Sequence, residues 1–347
     1  MDKVNLLELS TSELQEFFQS LGQPAFRAKQ VMDWLYQQGA QTFNEMTNLP
    51  KGLREQLAQK AVPGFLSVVT EQVSEDGTEK YLFALPDGQT VETVVLPYDI
   101  GFSACISTQV GCKMGCLFCA SGLPGFVRNL TAAEIMAQVL QVKNALRKRG
   151  KELKSLVLMG SGEPLDNFRE TIAFLEAVRD PQKLAMSLRH VTLSTSGLVP
   201  KIEELAKLGW PLNLAVSLHA SNNRVRDKIM PVNKTYPLEP LLSACDTYSR
   251  ATGRRVTYEY ILIDRLNDKT EHAKELASLL KGRLCHVNLI PLNAVDELGL
   301  KPSPQNTVKQ FRDTLRQKGV NVTVRRKLGA DIAAACGQLR NEYLGEC

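Results

Sequence analysis

A chain of 347 residues that is 44% apolar and 23% charged has ordinary globular composition, enough for one large domain and a smaller one. No apolar run reaches the roughly eighteen residues a membrane-spanning helix needs, and the acidic, amphipathic start MDKVNLLELSTSELQEFF is unlike a signal peptide, so the expected setting is cytoplasmic, without a membrane partner. Of the 42 Lys+Arg and 37 Asp+Glu behind the net charge of +5, residues 1–90 hold 7 and 12, which leaves 35 and 25 for the remainder, a basic surplus that suits a polyanionic partner.

Residues 1–62 read as a small helical accessory domain. Ser10 and Ser12 can cap SELQEFFQSLG, which sets Leu14, Phe17, Phe18 and Leu21 on one face and ends at Gly22. A second helix is expected from Ala25 to Gln38, with Val31, Trp34 and Leu35 apolar, and a third from Leu53 to Ala61. A nucleic-acid platform and plain packing fit this pattern equally. Residues 63–100 form a β-rich connector, because FLSVVTEQV, KYLFALP and TVETVVLP are separated by SEDGTE and PDGQ turns. From residue 101 to 347, FSACISTQV, SLVLMG, HVTLSTS, LNLAVSLH, RVTYEYILI, CHVNLIPL and NVTVRR alternate with helical segments, which implies parallel strands with crossovers. About six such units are too few for a closed eightfold barrel. The expected fold is α/β, an open partial (β/α)6 barrel with its site at the C-terminal strand ends.

Three cysteines follow the first of those strands. Cys112, Cys116 and Cys119 in CKMGCLFC give an iron-sulfur cluster only three thiolates, and the iron left open can be chelated by the amino and carboxylate groups of S-adenosylmethionine. A zinc knuckle is the alternative, but zinc favours paired CxxC or Cys/His sets with a fourth ligand close by. Gly111, Gly115 and Gly122 let the loop wrap a cluster, and Phe118 can shield it. The next strand ends in MGSGEP, where Gly160 and Gly162 permit close backbone approach and Glu163 can accept bonds from a substrate ammonium. Ser194 and Ser196, then Ser217 and His219, then Asn293 end later strands and offer groups that bind a ribose, a carboxylate or an adenine. Taken singly, each is as well explained as a cap or a satisfied turn; their convergence on one rim favours a site.

Eight cysteines in an intracellular chain read as metal ligands or reactive thiols rather than as a disulfide framework. Cys336 in ADIAAACGQL has small neighbours that leave a thiol accessible, downstream of Arg325, Arg326 and Lys327, and Cys105 lies seven residues before the first cluster thiol on a strand. Buried inert cysteine is the usual alternative for both, and the expected state of Cys245 and Cys285, with Cys347 a tail residue.

The series VETV, CISTQVGCKMGCLFCASG, GFVRNLTAAEI, MGSGEPL, VTLSTSG, SLHA, NLIPLN and ACGQL, spread over nearly the whole chain, resembles the radical S-adenosylmethionine RNA adenine methyltransferases, the family of RlmN and Cfr. The resemblance implies a [4Fe-4S] cluster on Cys112, Cys116 and Cys119, with S-adenosylmethionine contacts at Gly162, Glu163, Ser194, Ser217, Leu218, His219 and Asn293. It makes Cys336 the cysteine that becomes S-methylated, Cys105 its resolving partner, and Glu92 of VETV the proton acceptor. Carbon C2 of adenine is poorly nucleophilic, so the implied route uses two S-adenosylmethionine molecules, one to methylate Cys336 and one as radical source, and ends in a transient Cys105–Cys336 disulfide. Pro164 in GEPL matches RlmN, where Cfr-type chains tend to read GEAL, which implies C2 rather than C8 methylation; Ser161 stands where the family commonly has methionine. Implied partners are 23S ribosomal RNA, tRNA at the adenosine beside the anticodon, and an electron donor such as a flavodoxin-type reductant.

Overall fold

A computed structural model describes residues 3–293, 299–329, 331–332 and 337–346. The N-terminal module closes on itself where β1 (Val4–Asn5) pairs in parallel with β2 (Ala61–Val62). Its first helix, α1 (Thr11–Ser20), starts with a capping box: Glu13 N–H donates to Ser10 Oγ at 3.2 Å, and Ser10 N–H donates to Glu13 Oε2 at 2.8 Å. The expected second helix is two pieces, α2 (Phe26–Met32) and a π-helical turn (Asp33–Gln38) that ends at Gly39. Carbonyls at the end of that wide turn accept bonds from α4 (Ala132–Lys148): Lys143 Nζ reaches Tyr36 O at 2.8 Å and Arg147 reaches Gln37 O at 2.9 Å. Together with α3 (Lys51–Lys60), the module shares one continuous apolar core with the rest of the chain, including Phe18, Leu35 and Leu57, all fully buried.

The connector strands β3 (Ser67–Val73), β4 (Glu79–Ala84) and β5 (Thr90–Tyr98) form an antiparallel meander. They extend the same sheet that carries the parallel strands, because β6 (Gly101–Cys105) pairs antiparallel with β5 and parallel with β9 (Leu153–Leu158). Parallel pairing continues through β10 (Val191–Thr195), β11 (Asn213–Ser217), β12 (Val256–Leu262), β13 (Cys285–Pro291) and β14 (Val322–Val324). The ten-stranded sheet runs β14-β13-β12-β11-β10-β9-β6-β5-β4-β3, with β14 and β3 at open edges. Leu214, Ala215 and Val216, or Tyr258 and Tyr260, are buried in succession or alternation, as strands covered on both faces require. The covering helices are α4, α5 (Phe168–Arg179), α6 (Val199–Lys207), α7 (Asn223–Ile229), α8 (Leu238–Thr252), α9 (Thr270–Leu279) and α10 (Gln305–Gln317), and α11 (Gln338–Glu346) follows the last strand. None of the helices among the described residues is long and apolar enough to cross a membrane.

One expected strand breaks. FSACISTQV does not run through: β6 stops at Cys105, and β7 (Gln109–Gly111) pairs instead with β8 (Phe126–Asn129) in a separate two-stranded ribbon that spans the cysteine loop. The break has a local cause. Ser107 leaves the sheet because the side chain of Gln138, on α4, takes its backbone: Ser107 N–H donates to Gln138 Oε1 at 2.9 Å and Gln138 Nε2 donates to Ser107 O at 3.0 Å. Thr93 Oγ1 also donates to Gln138 Oε1 at 2.9 Å. Gln138 is fully buried, so Gln138→Leu strands three polar groups, each costing about 1–3 kcal/mol. Denaturant unfolding is expected to show a loss of at least about 3 kcal/mol; a loss under about 1 kcal/mol would show that the crossover stands without it.

Candidate active site

The parallel strands end on one cavity of ≈ 330 Å³. Cys105 closes β6 there, Gly160, Gly162 and Glu163 follow β9, Ser194 and Ser196 end β10, Ser217 and His219 end β11, and Asn293 follows β13. Cys112, Cys116, Phe118 and Cys119 border it from the loop, and Arg325, Arg326 and Lys327 border it after β14. All sixteen of these residues were singled out from sequence, and they meet around one space.

Backbone ties set the geometry of this rim. Glu163 is 3% exposed; its Oε2 accepts Ser196 N–H at 2.6 Å and its Oε1 accepts Leu165 N–H at 3.0 Å, which binds the β9 turn to the β10 turn. Burial raises the Glu163 pKa, and the bonds from Ser196 and Leu165 oppose that rise. Its own N–H donates to Gln109 Oε1 at 2.8 Å, and Gln109 Nε2 donates to Asn129 and Asp166, both at 2.8 Å. Gly162 has φ +102°, and a Cβ there would lie 2.5 Å from Gln109 Cβ, so only glycine allows the turn to press on β7.

His219 is buried with φ 55°, its Nδ1 accepts Ile261 N–H at 3.0 Å, and its ring meets Phe118 edge-on at 4.6 Å. With Nδ1 an acceptor, the neutral ring carries its proton on Nε2. Burial, aided by Arg226, holds the His219 pKa down to about 3. Behind it Arg226 is fully buried and binds the strand ends directly: Nη2 donates to Ser196 O at 2.7 Å and Ser217 O at 3.1 Å, and Nε donates to Leu218 O at 3.1 Å. Leu218 is itself fully buried and faces away from the cavity lining, with its N–H on Glu259 O at 3.0 Å.

Burial pushes the Cys112 thiol up to about 11, with Cys119, Glu163 and Asp166 adding repulsion. Cys116 is raised further, again by burial first and then by Cys119 and Cys112. Two thiols raised in this way become thiolates together only beside a cationic group. Among the described residues, no three His, Cys, Asp or Glu converge closely enough to hold a single ion.

Cys336 is outside the described residues. Glu92 is 3% exposed on β5 and is not part of the cavity lining; its Oε2 accepts Gly337 N–H at 2.6 Å, its Oε1 accepts Arg340 N–H at 2.7 Å, and Lys80 Nζ stands 3.2 Å away. Sequence reasoning missed Gln109, Gln138, Arg226 and Glu259, the last a buried carboxylate on the cavity wall that accepts from Asn288 at 2.9 Å. A fully buried arginine on the short α7 has no pattern that separates it from a solvent-facing one.

Residues 4–62 match the ribosomal RNA large subunit methyltransferase N-terminal domain, and residues 106–280 match the radical SAM superfamily. A protein of Desulforamulus reducens named probable dual-specificity RNA methyltransferase RlmN is 50% identical over 343 residues, 99% of this chain and 97% of its own length. The chain belongs to the RlmN family of radical SAM methyltransferases. Its likeness to the RlmN-named protein of Geobacillus kaustophilus is 49% over 336 residues, 97% of this chain and 92% of the other. A crystal structure of a radical SAM methyltransferase from Sphaerobacter thermophilus matches with a TM-score of 0.93 at 43% identity, covering 96% of this chain and 98% of that one.

The radical SAM superfamily uses a [4Fe-4S] cluster and S-adenosylmethionine. The donor set fits both: half-buried thiols suited to a metal border the same cavity as a fixed carboxylate, hydroxyls and an imidazole with one N–H.

The neutral His219 has a measurable consequence. Between its folded pKa of about 3 and the ordinary 6.5, the unfolded chain binds a proton there that the native one does not. Acidification through that window removes stability, by up to about 1.4 kcal/mol per pH unit. Thermal unfolding at pH about 6.5 and about 5 should show a larger acid loss for the wild type than for His219→Asn; equal losses would mean that the native ring charges as freely as an exposed one.

Proposed function

We propose that the protein methylates C2 of an adenine in 23S ribosomal RNA, and of the adenosine beside the tRNA anticodon, with the methyl carbon carried on Cys336. The observation that carries this reading is the meeting of Cys105, the three loop thiols and the polar rim on one cavity, in a chain that aligns nearly end to end with proteins named RlmN. The basic residues Arg325, Arg326 and Lys327 at the cavity suit a phosphate backbone. The absence of a membrane-crossing helix among the described residues accords with a cytoplasmic site of action. The chain divides into a helical accessory domain (1–62), a β-rich connector (63–100) and the catalytic core (101–347).

Cys112, Cys116 and Cys119 would hold the cluster. When bound, it would supply the electron that opens S-adenosylmethionine to a carbon radical, which the unreactive C2 position demands. Glu163, oriented by Ser196 and Leu165, accepts from the ammonium of the amino-acid end, with Gly162 admitting it at backbone distance. Ser194, Ser217, His219 and Asn293 bind the nucleoside part, and Leu218 shapes the turn from behind. The Cys336 sulfur would take a methyl group from one S-adenosylmethionine; that S-methyl group would then give up a hydrogen to the carbon radical, and the methylene radical left on sulfur would add to the ring carbon. Glu92 accepts the displaced ring proton. Cys105 attacks the Cys336 sulfur as the methylated base leaves, and the resulting disulfide is reduced between turnovers; a flavodoxin-type reductant is the electron donor this reading calls for. Extrusion of the adenine from its stack is the physical route by which a ring carbon reaches such a pocket.

Anaerobic incubation with methyl-labelled S-adenosylmethionine and 23S rRNA or tRNA, followed by nucleoside mass spectrometry, is expected to give 2-methyladenosine; the 8-methyl isomer would assign the chain to Cfr chemistry instead. Cys336→Ala should reduce methylation to background while cluster absorbance persists, and activity in that variant would refute a thiol carrier. Cys105→Ala should accumulate a covalent protein-RNA adduct on denaturing gels, and turnover without any adduct would remove Cys105 from the resolving step.

A further inference from the structure

The carboxylate cast as a proton acceptor is already fully engaged. Lys80 Nζ and the Gly337 N–H converge on Glu92 Oε2, at 3.2 and 2.6 Å, and the Arg340 N–H holds Oε1 at 2.7 Å. Gly337 immediately precedes α11 and Arg340 lies in its first turn, where N–H groups have no partner within the helix and favour a negative charge. Arg340 Nε also donates to Thr90 O at 3.0 Å, so β5 receives this turn at two points.

The turn is pressed against the cysteine loop as well. Asn341 Nδ2 donates to Ala120 O at 3.0 Å, and a Cβ on Gly337, where φ is +84°, would lie 2.6 Å from the Cα of Ser121. Ser121 is two residues beyond Cys119 in the chain. Upstream, Glu75 N–H and Ser74 Oγ bind Asp331, the former at 3.0 Å, and Gly329 N–H donates to Asp76 at 2.7 Å. Gly329 and Asp331 are thus tied to the β3–β4 turn, Gly337 and Arg340 to β5, and Asn341 to the cysteine loop.

We propose that Glu92, charge-balanced by Lys80, is a positioning residue that docks the C-terminal segment onto the cysteine loop, and that methyl loading of Cys336 depends on this dock. The inference rests on the reading of Cys336 as methyl carrier. It separates two roles: a pure proton acceptor acts only when RNA is present, whereas a dock is needed before RNA arrives. Service as acceptor then requires the dock to open first, because an oxygen that already accepts a short bond is poorly placed to take a proton.

The test is anaerobic incubation of reconstituted holoenzyme with methyl-labelled S-adenosylmethionine and no RNA. Label on Cys336 is read by mass spectrometry of the tryptic peptide 328–340, and hydrogen exchange of the amides of residues 338–345 is measured in parallel. In Glu92→Gln, loading is expected to slow by at least about tenfold and those amides to exchange at least about tenfold faster, with cluster absorbance unchanged. Gly337→Ala, which leaves the carboxylate intact and drives a Cβ into Ser121, should reproduce both effects. Wild-type loading and exchange in Glu92→Gln would overturn the dock, as would normal loading in Gly337→Ala beside slow loading in Glu92→Gln. A wild type that never takes label on Cys336 would overturn the carrier reading, while exchange in the two variants would still report on the dock.

Discussion

The site depends on how the backbone leaves β6. Ser107, Thr108 and Gln109 are almost completely buried yet have left the sheet, so their polar groups require other partners. Those partners are the Ser161 carbonyl, which accepts Thr108 and Gln109 N–H at 2.9 and 3.2 Å, and the Gln138 amide. Ser107 Oγ completes the set by donating to Glu92 O at 2.7 Å and accepting Ser161 N–H at 3.0 Å. The cysteine loop and the turn that bears Glu163 therefore behave as one piece. This also explains why a serine is tolerated at 161: the position contributes its N–H and its carbonyl, which methionine supplies equally.

Buried charge does the remaining alignment. Arg226 binds carbonyls from two adjacent strand ends and also donates to Asn233 Oδ1 at 3.0 Å, so its guanidinium fixes the spacing of the rim where apolar side chains could only fill space. The Lys80–Glu92 pair is likewise buried, and such pairs contribute more to a unique arrangement than to stability. A cation beside His219 adds to burial in keeping the imidazole neutral, which preserves its single directed N–H.

The cysteine spacing, the glycine-rich turn and the strand-helix alternation were legible because each reflects chemistry or periodicity local to a few residues. The barrel and its rim followed from them. The environments of Gln138, Arg226 and Glu92 were opaque for one reason: each acts on backbone groups far away in sequence, and a lone polar residue on a helix or strand looks the same whether it faces solvent or a backbone N–H or carbonyl 30 or 245 positions away. Glu92 shows this best: the family resemblance singled it out, yet nothing in the sequence marks it as one of the least accessible carboxylates among the described residues. The π-helical end of the second helix was hidden as well, because what stabilises it is Lys143 and Arg147 on another element.

The stretch from β14 onward combines three tasks in one short run. It closes the parallel sheet, lays Arg325, Arg326 and Lys327 along the cavity, and then passes between two sets of tethers. A thiol on a strand, as Cys105 is, has one position, set by the ladder bonds on either side. The tethers at Gly329 and Asp331 and at Gly337 and Arg340 are instead a few bonds between side chains and backbone, and because the three cations lie on that same stretch, a polyanion that binds them contacts the run that carries the tethers.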